Sequence, residues 1–393
     1  MKMKFKLFFL ILILFGTQLT FSQYKILSDK AEVSIITTGP GKELYEGFGH
    51  STIRVKDADF DTAYNYGIFD FNAPNFYLNF AKGNLYYKLA SYPFHYFVRE
   101  YQKDKRWIKE QVLNLNQSEK QQFFEYLEYN SKPENATYLY DPFFNNCATK
   151  LREITETVLK NNVVFKDDHV KNEKSFRQLL NNEIPWNTWG NFGINLILGS
   201  KLDNIATAKQ HMYLPDYVYL GFKNAEVIHN SNTEPLIKEE RFILKYKELK
   251  IEPLFLSPFI VFTLITLLGL YITFNDAKRK QRTKWLDFLL FFSTGLVGII
   301  VVLMWFFTNH STAPNNFNFL WAFAPNLIVA FYIAKDSPKI WVIKYLKLTL
   351  VLLLICPLIW IGKVQLYPMS VLPFLLLLCV RFYFIKNLLT FKK

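Results

Sequence analysis

Cysteine is scarce in this chain: three in 393 residues. Two of them, Cys356 and Cys379, fall within hydrophobic runs and read as apolar packing residues. That leaves Cys147 without a disulfide partner in the rest of the chain, which excludes a disulfide-stapled domain. Histidine is scarce too, six in all, and no two of His95, His169, His211 and His229 have the spacing of metal ligands. Acidic residues are few towards the C-terminus, where only three of the 33 Asp and Glu lie beyond residue 253, against 14 of the 46 Lys and Arg. Three more Lys sit in the first six residues, and the long stretch between is close to neutral. The formal charge of +13 is thus confined to the leader and to short loops between apolar runs. Such a distribution sets membrane topology and excludes a basic groove, so no nucleic-acid partner is expected.

What is abundant is apolar and aromatic: 51% hydrophobic residues and 39 Phe. Met1 to Lys6 is a positive n-region, Leu7 to Phe15 an apolar core and Gly16 to Ser22 a more polar run of small residues, the pattern of a secretory signal over residues 1–22. Residues 23–253 read as an exported domain and 254–393 as a membrane domain with five spans: 254–274, 285–308, 320–334, 345–362 and 369–386. The basic loops 275–284 and 335–344 and the terminal Lys392-Lys393 fall on one side, inside if the domain is outside.

Within the exported domain, residues 31–38, 50–56, 62–71, 85–89 and 106–113 read as strands. Residues 118–130, with Ser118 as cap, and 147–159 read as helices, and a further helix lies within 173–215. Strands first and helices later give an α+β domain. A lone thiol outside the cytoplasm is kept either for reactivity or as a small buried side chain. Two features favour reactivity. Asn145 and Asn146 are good N-cap types, placing Cys147 in the first turn of a helix, where partial positive charge favours thiolate. His50 stands at the mouth of a strand in Gly47-Phe-Gly-His-Ser-Thr-Ile-Arg54 as a candidate general base. Asn65 and Asp70, on the next strand, are candidates to orient its ring. Arg54 shares the His50 face and is a candidate substrate or lipid contact. His310, Asn318 and Trp321, in the polar loop between the second and third spans, are candidates for a lipid head group or an assisting role; an interfacial belt of satisfied amides is the alternative.

Histidine before cysteine, with the cysteine at an Asn-Cys helix start, resembles the permuted papain-like thiol folds of lecithin:retinol acyltransferase and its relatives. The whole plan is similar to the Lnb-type lipoprotein N-acyltransferases. The matching stretches are Gly47 to Val55, Tyr64 to Phe71, Asn145-Asn-Cys-Ala-Thr149 and the loop from Asn309 to Trp321. The resemblance implies an α+β papain-like domain ahead of membrane spans, Cys147 as nucleophile, His50 as base and an assisting role for His310. It implies a phospholipid acyl donor, a diacylated lipoprotein acceptor, a periplasm-facing site on the bacterial inner membrane, and no metal or diffusible cofactor. Two alternatives stand beside it: a cysteine hydrolase of the same fold, disfavoured because peptidase relatives usually place cysteine before histidine, and a non-catalytic membrane sensor or scaffold.

Overall fold

The computed structural model describes residues 25–248 and 255–391; the expected leader, residues 1–22, lies outside them. The extracytoplasmic part is built on a seven-stranded antiparallel sheet. Its strands are β1 (Glu32–Thr38), β2 (His50–Lys56), β3 (Asp61–Ile68), β4 (Tyr86–Pro93), β5 (Ile108–Leu113), β6 (Thr137–Leu139) and, after a small three-stranded sheet of β7 (Val163–Val164), β8 (Glu226–His229) and β9 (Asn232–Pro235), the edge strand β10 (Ile237–Leu244). The order is β10-β5-β1-β2-β3-β4-β6. The helices between are α1 (Phe76–Lys82), α2 (Phe94–Lys103), α3 (Gln117–Ser131), α4 (Cys147–Leu159), α5 (Phe176–Glu183), α6 (Trp189–Ile197) and α7 (Pro215–Asn224).

The central strand β1 is buried along almost its whole length because both faces of the sheet are covered. Successive side chains of a strand point to opposite faces, so Ile35 joins one core and Ile36 another. On the Ile35 side, Ile53 and Tyr64 pack with Phe123 and Leu127 of α3, Leu151 and Ile154 of α4, and Val218 and Phe222 of α7. On the Ile36 side, Ala63 and Ile108 pack with Phe94 and Phe97 of α2. Each such large side chain taken fully from water stabilises the fold by about 1.5–3 kcal/mol. The first helix expected from the sequence forms, but its cap is Asn116 rather than Ser118. The Asn116 side chain accepts from Glu119 N–H, and Glu119 accepts from Asn116 N–H in return, a reciprocal capping box.

Among the described residues the C-terminal part has five α-helices: α8 (Pro258–Arg279), α9 (Lys284–Phe306), α10 (Asn326–Ile333), α11 (Trp341–Ile361) and α12 (Leu372–Phe391). The runs containing α8, α9, α11 and α12 are long and apolar enough to cross a membrane. The expected third span, 320–334, is instead broken. A 3₁₀ turn at Phe317–Leu320 precedes the helix, and α10 has only eight residues, about 12 Å of rise. Pro325 sets the start of α10, and α9 supplies the space for the irregular backbone. A Cβ on Gly298 would lie 2.1 Å from the Ala322 carbonyl oxygen, and one on Gly295 2.0 Å from the Leu327 nitrogen. Irregular backbone at membrane depth is tolerated where protein covers it in this way. At the opposite, basic end of the spans, Arg381 is fully buried between Asp276 and Asp287, and Arg282 also pairs with Asp287.

The two parts are bolted together. The amide of Asn316 donates to the Leu196 and Ile197 carbonyls of α6, and Asn318 donates to Asn195 and Leu196. Asp203, paired with the buried Arg177, accepts from Leu366 N–H in the loop between α11 and α12. Phe192 of α6 packs on Phe262 of α8.

Candidate active site

Cys147 is the first residue of α4, where Asn146 is the N-cap. Asn146 Oδ1 accepts from Thr149 N–H at 2.9 Å, and Thr149 Oγ1 accepts from Asn146 N–H at 2.9 Å. The Asn146 amide also donates to Pro142 and Tyr213 carbonyls. One step earlier, Asp141 Oδ1 accepts from the N–H groups of Phe143 and Phe144. The nucleophile is thus held by side chains that fix the backbone on its N-terminal side, and its own residue is half-buried rather than sealed.

His50 opens β2, opposite Thr38 of β1. Gly49 before it has φ +72°, and a Cβ there would meet the Thr38 carbonyl oxygen at 2.6 Å, so only glycine delivers the histidine at this bend. His50 Nε2 lies 2.5 Å from Asn65 Oδ1. Asn65 Nδ2 donates to the Tyr92 hydroxyl at 2.8 Å, which orients the amide with its oxygen towards the ring. Nε2 therefore carries the proton, and Nδ1 is left for the hydrogen bond to the Cys147 sulfur.

Burial acts on both partners, raising the thiol and lowering the imidazole. It is outweighed. The His50 charge and hydrogen bond, with the N–H groups of Ser51 and Ala148, bring the Cys147 thiol below its ordinary value. The Cys147 charge and hydrogen bond, with Asn65, bring His50 above its own. The arrangement favours a thiolate–imidazolium pair, the nucleophilic form of a cysteine.

Of the residues singled out from the sequence, the structure brings Cys147, His50 and Asn65 together. It does not bring in the others. Asp70 lies beyond the end of β3 and accepts from Asn72 N–H; a turn consumes its carboxylate. Arg54 is clamped by Asp61 and the buried Glu110 over the Phe94 ring, so it braces the sheet instead of meeting a ligand. His310 gives its Nε2 to the Phe80 carbonyl at 3.0 Å, fastening α1 rather than assisting His50. Asn318 and Trp321 are buried, with the indole N–H donating to Asn318 Oδ1. They are interdomain packing, not a head-group surface.

Two residues went unnoticed in the sequence. Gly67, φ +92°, would place a Cβ 3.6 Å from the Cys147 Cβ; a glycine inside a strand run was the available signal. The Tyr138 hydroxyl is buried beside the Gly67 N–H with no acceptor for its proton among the described residues, and burial, helped by the Cys147 charge, holds it in the neutral, donating form.

Fold and site together define a membrane protein whose α+β domain carries a Cys-His-Asn constellation and is hydrogen-bonded to loops of its apolar helical part. Two family models match the chain: the Lnb N-terminal periplasmic domain over residues 20–189 and the Lnb transmembrane domain over residues 250–393. The chain belongs to the Lnb-type membrane proteins, with a periplasmic domain followed by the family's transmembrane domain. Neither the curated proteins nor the solved structures give a match.

Proposed function

We propose that the protein is a lipoprotein N-acyltransferase of the bacterial inner membrane, working on its periplasmic side. The Cys147 thiolate attacks an ester carbonyl of a phospholipid. The tetrahedral oxyanion collapses, the glycerol oxygen leaves with the proton from His50, and a lysophospholipid departs from an acyl thioester. The free α-amine of a diacylglyceryl-cysteine then attacks the thioester and loses its proton to His50. An amide forms and the thiolate returns. Asn65 keeps the imidazole in register through both half-reactions. The Cys147 backbone N–H and the Tyr138 hydroxyl are the donors available to the oxyanion.

The observation that carries this reading is a paired thiol and imidazole held by the same structure that grips the membrane spans. A water-soluble substrate would not require such a mount; a lipid ester and a lipid-anchored amine both do. The family resemblance supports the same chemistry.

The test is covalent trapping. Incubated with phospholipid labelled in its acyl chain, the protein should carry label on Cys147 through a hydroxylamine-labile bond. Cells relying on the Cys147→Ser variant should lack N-acylated lipoprotein by mass of the lipoprotein N-terminus. Normal N-acylation in that variant would end the proposal, and release of free fatty acid without any amide would make the protein a hydrolase.

A further inference from the structure

A file of aromatic rings leads away from the thiol. Gly67, against Cys147, also neighbours Tyr140. Tyr140 stacks on Tyr87 with centroids 4.3 Å apart, and Tyr87 stacks on Phe69 at 4.8 Å. Phe69 stacks on Phe76 at 5.9 Å, and Phe76 meets Phe80 at 6.2 Å. The file ends on α1, and α1 is fastened to the membrane domain. The Phe80 carbonyl accepts from His310, and the Lys82 carbonyl accepts from Asn309 N–H at 2.7 Å. Asn309 lies three residues past the end of α9, so this end of the file hangs at the outer mouth of a spanning helix.

At that end the rings are not covered by protein. Phe71 is 48% exposed, Tyr77 73% and Phe80 49%. An apolar patch of this kind, hydrogen-bonded to the loop that leaves a spanning helix, has the lipid of the outer leaflet as its natural neighbour. The segment between Asp141 and Cys147 reaches the same loop from the other side, because the Ser311 hydroxyl donates to Asp141 Oδ2. Both ends of the aromatic file are therefore referenced to one membrane-surface loop.

We propose that the strip from Phe69 to Phe80 is a lipid ramp. Its exposed rings enter the outer leaflet, and one acyl chain of a single phospholipid lies along the file with its ester at Cys147. The substrate role rests on the acyl-transfer reading; the leaflet contact does not.

The experiment uses the full chain in vesicles of phosphatidylethanolamine and phosphatidylglycerol. With p-benzoylphenylalanine at Tyr77, irradiation should add the mass of a phospholipid to the peptide carrying α1. The same probe at Tyr129, an exposed ring on α3, should not. Equal adducts at the two positions, or none at Tyr77, overturn the ramp. In a Phe71→Ser/Phe80→Ser variant, acylation of Cys147 from vesicle phospholipid should fall by about tenfold or more, while acylation by water-soluble p-nitrophenyl acetate stays unchanged. Equal loss with both esters makes the strip a structural element and overturns the ramp. A wild-type Cys147 that never takes an acyl group from phospholipid, with the Tyr77 adduct intact, overturns the acyl-transfer reading and leaves the leaflet contact supported.

Discussion

His50 and Cys147 each move the other's proton affinity, and the signs fix a pH profile. The reactive pair needs the thiol deprotonated and the imidazole protonated. Its window opens as pH rises through the lowered thiol value and closes as pH rises through the raised imidazole value. Acylation by a water-soluble ester should follow a bell. His50→Ala removes the attraction and leaves burial to raise the thiol, so its acidic limb should move up. Asn65→Ala removes a hydrogen bond that favours the imidazolium, so its alkaline limb should move down. Stopped-flow acylation across pH checks both; limbs that stay put would show that the two groups do not communicate. Tyr138→Phe keeps the ring and deletes the hydroxyl proposed as an oxyanion donor. The acylation rate should drop by about ten- to hundredfold with the limbs unmoved, read in the same assay. Cys147 and His50 were legible because helix-cap chemistry and a strand entrance leave local traces. Tyr138 was not, since nothing distinguishes one tyrosine among 23 until its hydroxyl is found buried beside Gly67 and Cys147. Asn65 and Asp70 stood level in the sequence; the strand ends at Ile68, and that end decides between them.

Elements were read best where a short-range signal governs them. The helix at Cys147–Leu159 was delimited correctly because the Asn146–Thr149 exchange caps it locally. The broken α10 was missed because hydropathy counts apolar residues, whereas the break depends on two glycines of a different helix. Gly298→Val should press into the Ala322 carbonyl and lower stability by about 1–3 kcal/mol, measured as thermal unfolding in detergent. Gly193→Ala, on α6 with nothing within 4 Å of its added Cβ, is the control and should be neutral or slightly stabilising. Equal effects from the two would mean that the close approach of α9 to the broken segment does not matter.

For the molecule as a whole, hydropathy gave the order of an α+β domain followed by apolar helices, while the docking of domain on spans was invisible. The amide at Asn318 looked like a ligand-binding group, and Asn316 beside it shares its α6 partner. An amide's sequence does not say whether its partner is a head group or a carbonyl from 120 residues away, and here it is the carbonyl. The domain is fixed through three outer segments rather than tethered. A protease site introduced between residues 248 and 255 should, once cut, leave the periplasmic fragment with the membrane pellet through salt and carbonate washes, released only by detergent. Release by salt would show that the contacts with the outer loops are too weak to hold it.

The thinness of the cysteine inventory has a practical side. Cys356 lies within α11 and Cys379 within α12, where the lipid barrier keeps polar reagents away. Only one sulfur faces the aqueous side. An impermeant, charged maleimide supplied to intact cells or sealed vesicles thus becomes a stoichiometric counter of free Cys147 thiols, one adduct for each chain whose sulfur is unoccupied.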